Sequence, residues 1–514
     1  MPPLPPRPDL DQLRHQAKDL LKGYRSGDPD ARRRVRAGHP RWAETPGTAA
    51  QDAPLTLSGA QLVIAREYGF ASWPKLKAHV ESVRAHPADP LEAIKQAFMA
   101  DDAARVAELL DIHPQLKSRI NEPLAPFDSP AILCARSPEM LDVLLAAGAD
   151  LDARSRWWAG GFGLLHQASP ELAAHAVARG AVVDVHAAAR LGMVGRLRAL
   201  VAADPALVHA RGGDGQTPLH FAATVEIAEY LLDHGADIDA RDVDHESTAA
   251  QYMSGERQEV AHFLVRRGCT TDLLLATALG DVNLVRRHLE ADPQAVRLRV
   301  SDEYFPMVGG RTGGTIYQWT LGFYVSAHQV ARKFGHADIY RLLMERSPAE
   351  VRLIAACWAG DDEAIVALRR AHPDLASRLQ EADRRQAAHA ARNNDLPALR
   401  RLLEAGLPVD GRSQHQATPL HWAAFHGNHE MIQLILGFGP PLELQDADFQ
   451  GTPLRWAVHG SEHGWDRQSG DYAATVAELL RAGAQPPDEV SGSEAVREVL
   501  RAAGVAEPDD GTAA

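Results

Sequence analysis

The strongest constraint on this chain is a seven-residue phrase that returns. It reads Thr217-Pro218-Leu219-His220-Phe221-Ala222-Ala223 at its first clear occurrence and Thr418-Pro419-Leu420-His421-Trp422-Ala423-Ala424 at its second. A third copy, Thr452-Pro453-Leu454-Arg455-Trp456-Ala457-Val458, carries Arg in the His position. Each is followed by an amphipathic helical stretch and a Gly stop. Stops of this kind include Leu231-Leu232-Asp233-His234-Gly235 and Leu402-Leu403-Glu404-Ala405-Gly406. The chemistry of each position is legible. Thr caps a helix, Pro occupies its first turn where no N–H is missed, and Leu enters a core. Paired Ala residues let neighbouring helices approach, and Gly supplies a left-handed end to the second helix. Self-similarity of this kind implies stacked units that cannot bury their apolar faces alone. It overrides the three domains that 514 residues would otherwise suggest.

The phrase, the helix after it and the Gly stop resemble the ankyrin repeat. The resemblance implies an all-α fold: an ankyrin-repeat solenoid of about twelve helix pairs, several degenerate, preceded by a small helical domain. Units fall near 91–122, 126–154, 160–184, 184–211, 214–243, 244–270, 271–300, 318–347, 349–380, 383–411, 415–446 and 450–486. The match is strong at 214–243 and 383–486 and weaker elsewhere. A second flavour of unit stops at Pro instead of Gly, at His113-Pro114, Asp204-Pro205, Asp292-Pro293 and His372-Pro373. A capping helix, Ser493 to Ala503, follows the last unit. The domain reading is therefore 1–86 as a basic helical domain, 87–504 as the solenoid and 505–514 as a disordered tail.

Two stretches interrupt the period. One is Trp157-Trp158-Ala159-Gly160-Gly161-Phe162-Gly163, and the other is an insertion from Ser301 to Gln318 containing Gly309-Gly310-Arg311-Thr312-Gly313-Gly314. The insertion reads as a packing loop or a partner-contacting lid; it lacks the Lys-Ser/Thr of a phosphate-binding loop. In residues 1–86, helices are expected over Asp9–Tyr24, Asp28–Ala37, Ser58–Glu67 and Ser72–Val83, with Ser58 and Ser72 as N-caps. The last two helices have the outline of a helix-turn-helix, with Lys75, Lys77 and His79 on the second. This leaves a nucleic-acid-linked regulator, with residues 58–83 as reader, as an alternative function.

The formal net charge is −14. Residues 1–86 hold 14 Lys and Arg against 9 Asp and Glu, so the excess acid lies in the repeats. An acidic body disfavours generic nucleic-acid binding and suits protein partners. Cys134, Cys269 and Cys357 are far apart and form no CxxC, which argues against a disulfide framework or a thiolate zinc site and fits a reducing cytoplasm; no cofactor is expected. No run approaches the length of a membrane span. A bacterial cytoplasmic protein is the expectation. Neither HExxH nor GxSxG occurs, and no catalytic residues are assigned. Acid pairs such as Asp101-Asp102 and Asp361-Asp362 suit helix starts. Of the 24 histidines, His421, His426, His429, His459 and His463 lie in adjacent repeats. They make a metal-dependent enzyme a second alternative, although their spacing supports no metal site.

The leading expectation is a protein-binding scaffold or adaptor working through the concave face of the array. The position after the motif His is expected to face solvent there, and it holds Phe221, Trp422 and Trp456. Nearby fall Phe425, His426, Arg455, His459, His463 and Trp465. These residue types combine large apolar contact with a polar handle, the chemistry of interface hot spots.

Overall fold

The computed structural model describes residues 10–39, 55–68, 70, 72–73, 75–77, 90–310 and 313–507. Two compact units are present, Met1–Ala187 and Ala188–Ala514. Among the described residues, regular structure is helical, and β pairing is limited to isolated bridges such as Arg241 with Thr248.

In the first unit, helices Leu10–Ser26, Pro29–Gly38 and Leu57–Glu67 enclose their own hydrophobic cluster. Leu13, Ala17, Leu20, Val35, Val63, Ile64 and Leu76 are buried in it. Asp28 caps the second of these helices through the Asp30 N–H. The cap of the third is Thr56, not Ser58: the helix begins one residue earlier than the sequence suggested, and Thr56 Oγ1 accepts the Gly59 N–H at 3.2 Å. Residues 73 and 75–77 are helical. The rest of the expected Ser72–Val83 helix, with His79, lies outside the described residues. Further along come helices Pro90–Met99, Ala103–Ile112, Pro138–Ala146 and Pro170–Ala178. At the Trp157-Trp158 interruption, Trp157 packs edge-to-face on Phe127 with centroids 5.0 Å apart.

The second unit repeats one piece of physics along the chain. Its pairs include Val225–Asp233 after Pro218–Phe221, Leu396–Glu404 after Gln386–Arg392, His429–Leu436 after Pro419–Phe425, and Tyr472–Arg481 after Pro453–His463. Second helices start on carboxylate or amide caps: Asp281, Asp361, Asp395, Asn428 and Asp471 each accept a backbone N–H three residues on. Gly235, Gly406 and Gly483 end them with φ of +93°, +96° and +101°. The residue after each donates back to the last turn of the helix, as Ala236 N–H does to Leu231 O at 2.9 Å. At the Pro-terminated stops the helix ends instead at Ala203, Ala291 and Ala371. Ala387, Ala388, Ala390, Ala391, Ala423, Ala424 and Ala457 are all fully buried, so the small residues sit where helices meet. The last helix, Glu494–Ala502, buries Val496 and Leu500 against the same cluster.

One charged feature is built into this core. Arg297, nearly buried, pairs with Glu350 and, at 2.9 Å, with Asp383. Arg299 lies beside them, 3.8 Å from Asp383. The network ties the segment preceding the insertion to two later helices, Ala349–Ala359 and Glu381–Arg384.

Candidate binding surface

The residues nominated from sequence divide sharply by exposure. Trp422 is 3% exposed and Trp456 8%. Their rings meet edge-to-face, 5.1 Å apart at 86°. Each indole N–H has an internal acceptor, Ser413 Oγ for Trp422 and Asp446 Oδ2 for Trp456, both at 2.9 Å. Burial alone would raise the Asp446 carboxyl. Hydrogen bonds from the Phe449 N–H, the Trp456 indole and the Gly451 N–H outweigh it and hold the carboxyl below its usual range. Phe221 is buried as well. The expectation that the position after the motif His faces solvent therefore fails at Phe221, Trp422 and Trp456. For the two tryptophans the reason is local: the segments carrying Ser413 and Asp446 reach over the rings and supply the acceptors that a buried indole needs.

His426 is buried too, with Nδ1 2.5 Å from Asp466 Oδ2 and Nε2 2.8 Å from the Arg392 carbonyl. Phe425 is half-buried. Arg455, His459, His463 and Trp465 are exposed, Trp465 by 59%. Trp465 is nevertheless well placed. It stacks on Trp422 at 5.9 Å and 21°, and meets the Phe425 ring edge-to-face at 5.2 Å. The lengthened segment that carries it is pressed against the preceding repeat. A Cβ on Gly470 would fall 2.4 Å from the His426 carbonyl oxygen, and one on Gly460 2.6 Å from that of Phe425. Gly470→Ala is accordingly expected to cost about 1–3 kcal/mol through overpacking. A urea titration giving the wild-type midpoint would contradict that close approach.

Several members of this cluster escaped the sequence reading. Arg392 lies over four rings, at 4.5 Å from Phe323, 5.6 Å from Tyr324, 5.4 Å from Trp422 and 5.3 Å from Trp465. Tyr324 stacks on the buried His389 at 3.9 Å. Phe449, 69% exposed, and His415 border Trp456. Register could have found some of them. Aligning Asp395 with Asn428, the two helix caps, gives His389 the register position of Trp422 and Arg392 that of Phe425 in the next repeat.

The motif histidines have a structural task. In His220 and His421, Nδ1 accepts the N–H of Thr217 or Thr418 at 3.2 Å. Nε2–H then donates at 3.1 Å to a carbonyl one repeat on, Ser247 O or Gly451 O. Both nitrogens are spoken for, and the five-histidine set of 421–463 does not converge. His429 faces Glu478 at 3.5 Å, while the His459 and His463 rings lie 4.7 Å apart between centroids.

Family models match on these same residues. The model for "Ankyrin repeats (3 copies)" matches 353–448 and 387–464, and the single "Ankyrin repeat" model matches 214–243. The chain carries ankyrin repeats at 214–243 and within 353–464. A rice (Oryza sativa subsp. japonica) "E3 ubiquitin-protein ligase XB3" is 36% identical over 92 residues, 18% of this chain and 20% of the relative. A second rice protein, "Probable E3 ubiquitin-protein ligase XBOS31", is 33% identical over 153 residues, covering 30% and 32%. The zebrafish (Danio rerio) "Putative palmitoyltransferase ZDHHC13" is 30% identical over 91 residues, covering 18% and 13%. This chain thus spans a third or less of those relatives. Among solved structures, the human ASB11 ankyrin repeat domain aligns with 59% of this chain and 99% of its own, at 20% identity and a TM-score of 0.24.

Outside the aromatic cluster, two features of the chain involve groups with metal-ligating chemistry. In the first unit, His166 Nε2 lies 2.9 Å from Asp184 Oδ2, and His186 stands beside them. His166 behaves like a motif His, its Nδ1 accepting the Gly163 N–H at 3.1 Å, so its Nε2 carries the proton that Asp184 accepts. In the second unit, the insertion folds back on the finger at 242–248. Val308 and Gly309 donate to the Glu246 carboxylate, Gly313 to Asp244, and Ile316 to Ser247 Oγ. The thiols of Cys134, Cys269 and Cys357 are pushed up by burial, to about 11, 12 and 12, so none is a ready thiolate at neutral pH.

Proposed function

We propose that this chain is a scaffold or adaptor that recruits a protein through the surface formed by Phe425, Phe449, Arg455, His459, His463 and Trp465. Ankyrin repeats are generally protein–protein interaction modules, and no described helix is long and apolar enough to cross a membrane. The observation that carries the reading is Trp465. A 59% exposed indole is held flat against Trp422 and braced by Phe425. An anchor already ordered before binding loses little conformational freedom when a partner covers it. Trp422, Trp456 and His426 serve as the rigid floor beneath this surface. Arg455, His459 and His463 supply a polar rim around the apolar contact.

The test uses the full chain immobilised as bait, with the recovered partner then titrated against variants. Trp465→Ala should weaken the partner by about 2 kcal/mol, roughly thirtyfold, because a central aromatic anchor is lost. Val366→Ala, at an exposed apolar position elsewhere, should leave affinity unchanged. Equal affinity for wild type and Trp465→Ala would remove this surface as the docking site.

A further inference from the structure

We infer that Asp214, Asp244 and His245 form a binding site for a divalent transition-metal ion, with zinc as the fitting probe, at the place where the insertion meets the repeat fingers. One ligand atom from each residue lies within 4.8 Å of the others. Asp244 and His245 are buried. His245 decides the argument. Its Nδ1 is 2.7 Å from the Gly314 carbonyl oxygen, so Nδ1 carries the proton and donates it. Nε2 is left with a lone pair, 3.7 Å from Asp244 Oδ2. That separation is too long for a hydrogen bond. It does suit two atoms sharing one cation: ligands about 2.0–2.2 Å from a metal stand roughly 3.0–4.2 Å apart. One imidazole nitrogen and two carboxylates, gathered within 4.8 Å, are the donor set of a divalent ion.

The contrast with His166, Asp184 and His186 sharpens this. There the imidazole proton already sits on the nitrogen facing the carboxylate. At His245 the tautomer is the reverse, and it is the one found in metal-bound histidines, whose second nitrogen donates to a carbonyl that fixes the ring. The other contacts serve the same geometry. Asp244 Oδ1 is held at 2.9 Å by the Gly313 N–H, which leaves Oδ2 toward His245. The His245 backbone N–H is anchored at 2.8 Å on Asp242 Oδ2. A side chain at Gly313 would strike the ring: a Cβ there falls 2.7 Å from His245 Cε1 and 3.0 Å from Asp244 Oδ2. One imidazole with two carboxylates favours zinc-like ions over magnesium or calcium, which take oxygen alone. Three protein ligands leave a fourth position for water. Because Gly313 and Gly314 hang from the ligands themselves, the metal would fasten the insertion to the finger. This reading does not depend on the aromatic surface.

The test is calorimetric titration of zinc into the metal-stripped full chain, with millimolar magnesium present throughout. His459→Ala/His463→Ala serves as the background, since those exposed rings form a competing surface pair. One equivalent should bind in that background and should raise the melting temperature. His245→Gln and Asp214→Asn should each weaken it by thirtyfold or more. Where His245→Gln melts lower without metal, a long-range proton–nitrogen spectrum of the parent protein replaces it. Zinc should then move the His245 Nε2 resonance and the Gly313 and Gly314 amides. No tight equivalent in the background protein, undiminished binding in both His245→Gln and Asp214→Asn, or an unmoved His245 Nε2 would overturn the site.

Discussion

Lowering the pH from 7.5 to 5 is expected to strip this protein of several kcal/mol of stability while most of its carboxylates are still ionised. Four deeply buried histidines carry most of the effect. Burial pushes His220 and His421 down to about 4, His328 to about 3, and His389 well below its ordinary value. Hydrogen bonds to backbone carbonyls oppose the shift in the first three, while Arg299, Arg385 and Arg392 reinforce it at His389. The sign follows from linkage. Each folded value lies below the ordinary 6.5, so the unfolded chain binds more protons as the pH falls. Stability from these groups is complete above 6.5 and is lost downward from there, until the pH passes the folded values near 4 and 3. At pH 5 each of the three with a stated value forfeits about 2 kcal/mol, close to 6 kcal/mol together, against a typical domain stability of about 5–15 kcal/mol. Urea midpoints should therefore drop steeply between pH 6.5 and 5. Replacing His328 by Gln should flatten that slope by about one proton. A midpoint constant down to pH 5 would mean that these rings are not held neutral.

The repeat architecture was legible because its signals are local. A Thr-Pro start, an Asp or Asn cap and a Gly or Pro stop act within one turn of helix, and they read the same whatever surrounds them. Asp361 illustrates this: its place before the Asp362–Ala371 helix was visible in sequence, and its carboxylate caps that helix through the Ala364 N–H. The exposure of Trp422 and Trp456 was not legible, because it depends on the segments around Ser413 and Asp446, which reach over the rings from outside the motif. Arg392 was missed for a related reason. Nothing nearby in sequence marks it as special, and its four rings come from Phe323, Tyr324, Trp422 and Trp465, spread over more than a hundred residues. The Asp214, Asp244 and His245 group is similar. The spacing 214, 244, 245 matches no motif, and the tautomer of His245 is set by Gly314, 69 positions away.

Trp422→Ala should be among the most damaging single substitutions in the second unit, at about 3–5 kcal/mol. The indole is 3% exposed and touches Trp456, Phe425 and Trp465 while lying under Arg392. Truncation opens a cavity, removes the donor that Ser413 Oγ accepts, and takes away the support on which Trp465 lies. Trp465→Ala removes a ring of the same kind from the solvent side, and exposed positions rarely cost more than about 0.5 kcal/mol. The two substitutions are thus expected to separate. Trp422→Ala lowers the urea midpoint strongly and weakens a partner indirectly, through a displaced Trp465. Trp465→Ala leaves the midpoint nearly in place and weakens the partner directly. Trp422→Phe refines the test, since it keeps most of the ring and loses the N–H. Its cost should be smaller, about 1–3 kcal/mol from the unfilled volume and the lost N–H donor to Ser413 Oγ, which keeps its own hydrogen bond to the Ala417 carbonyl. If Trp422→Ala melts with the wild type, the ring is not part of the core, and the floor assigned to the binding surface is not there.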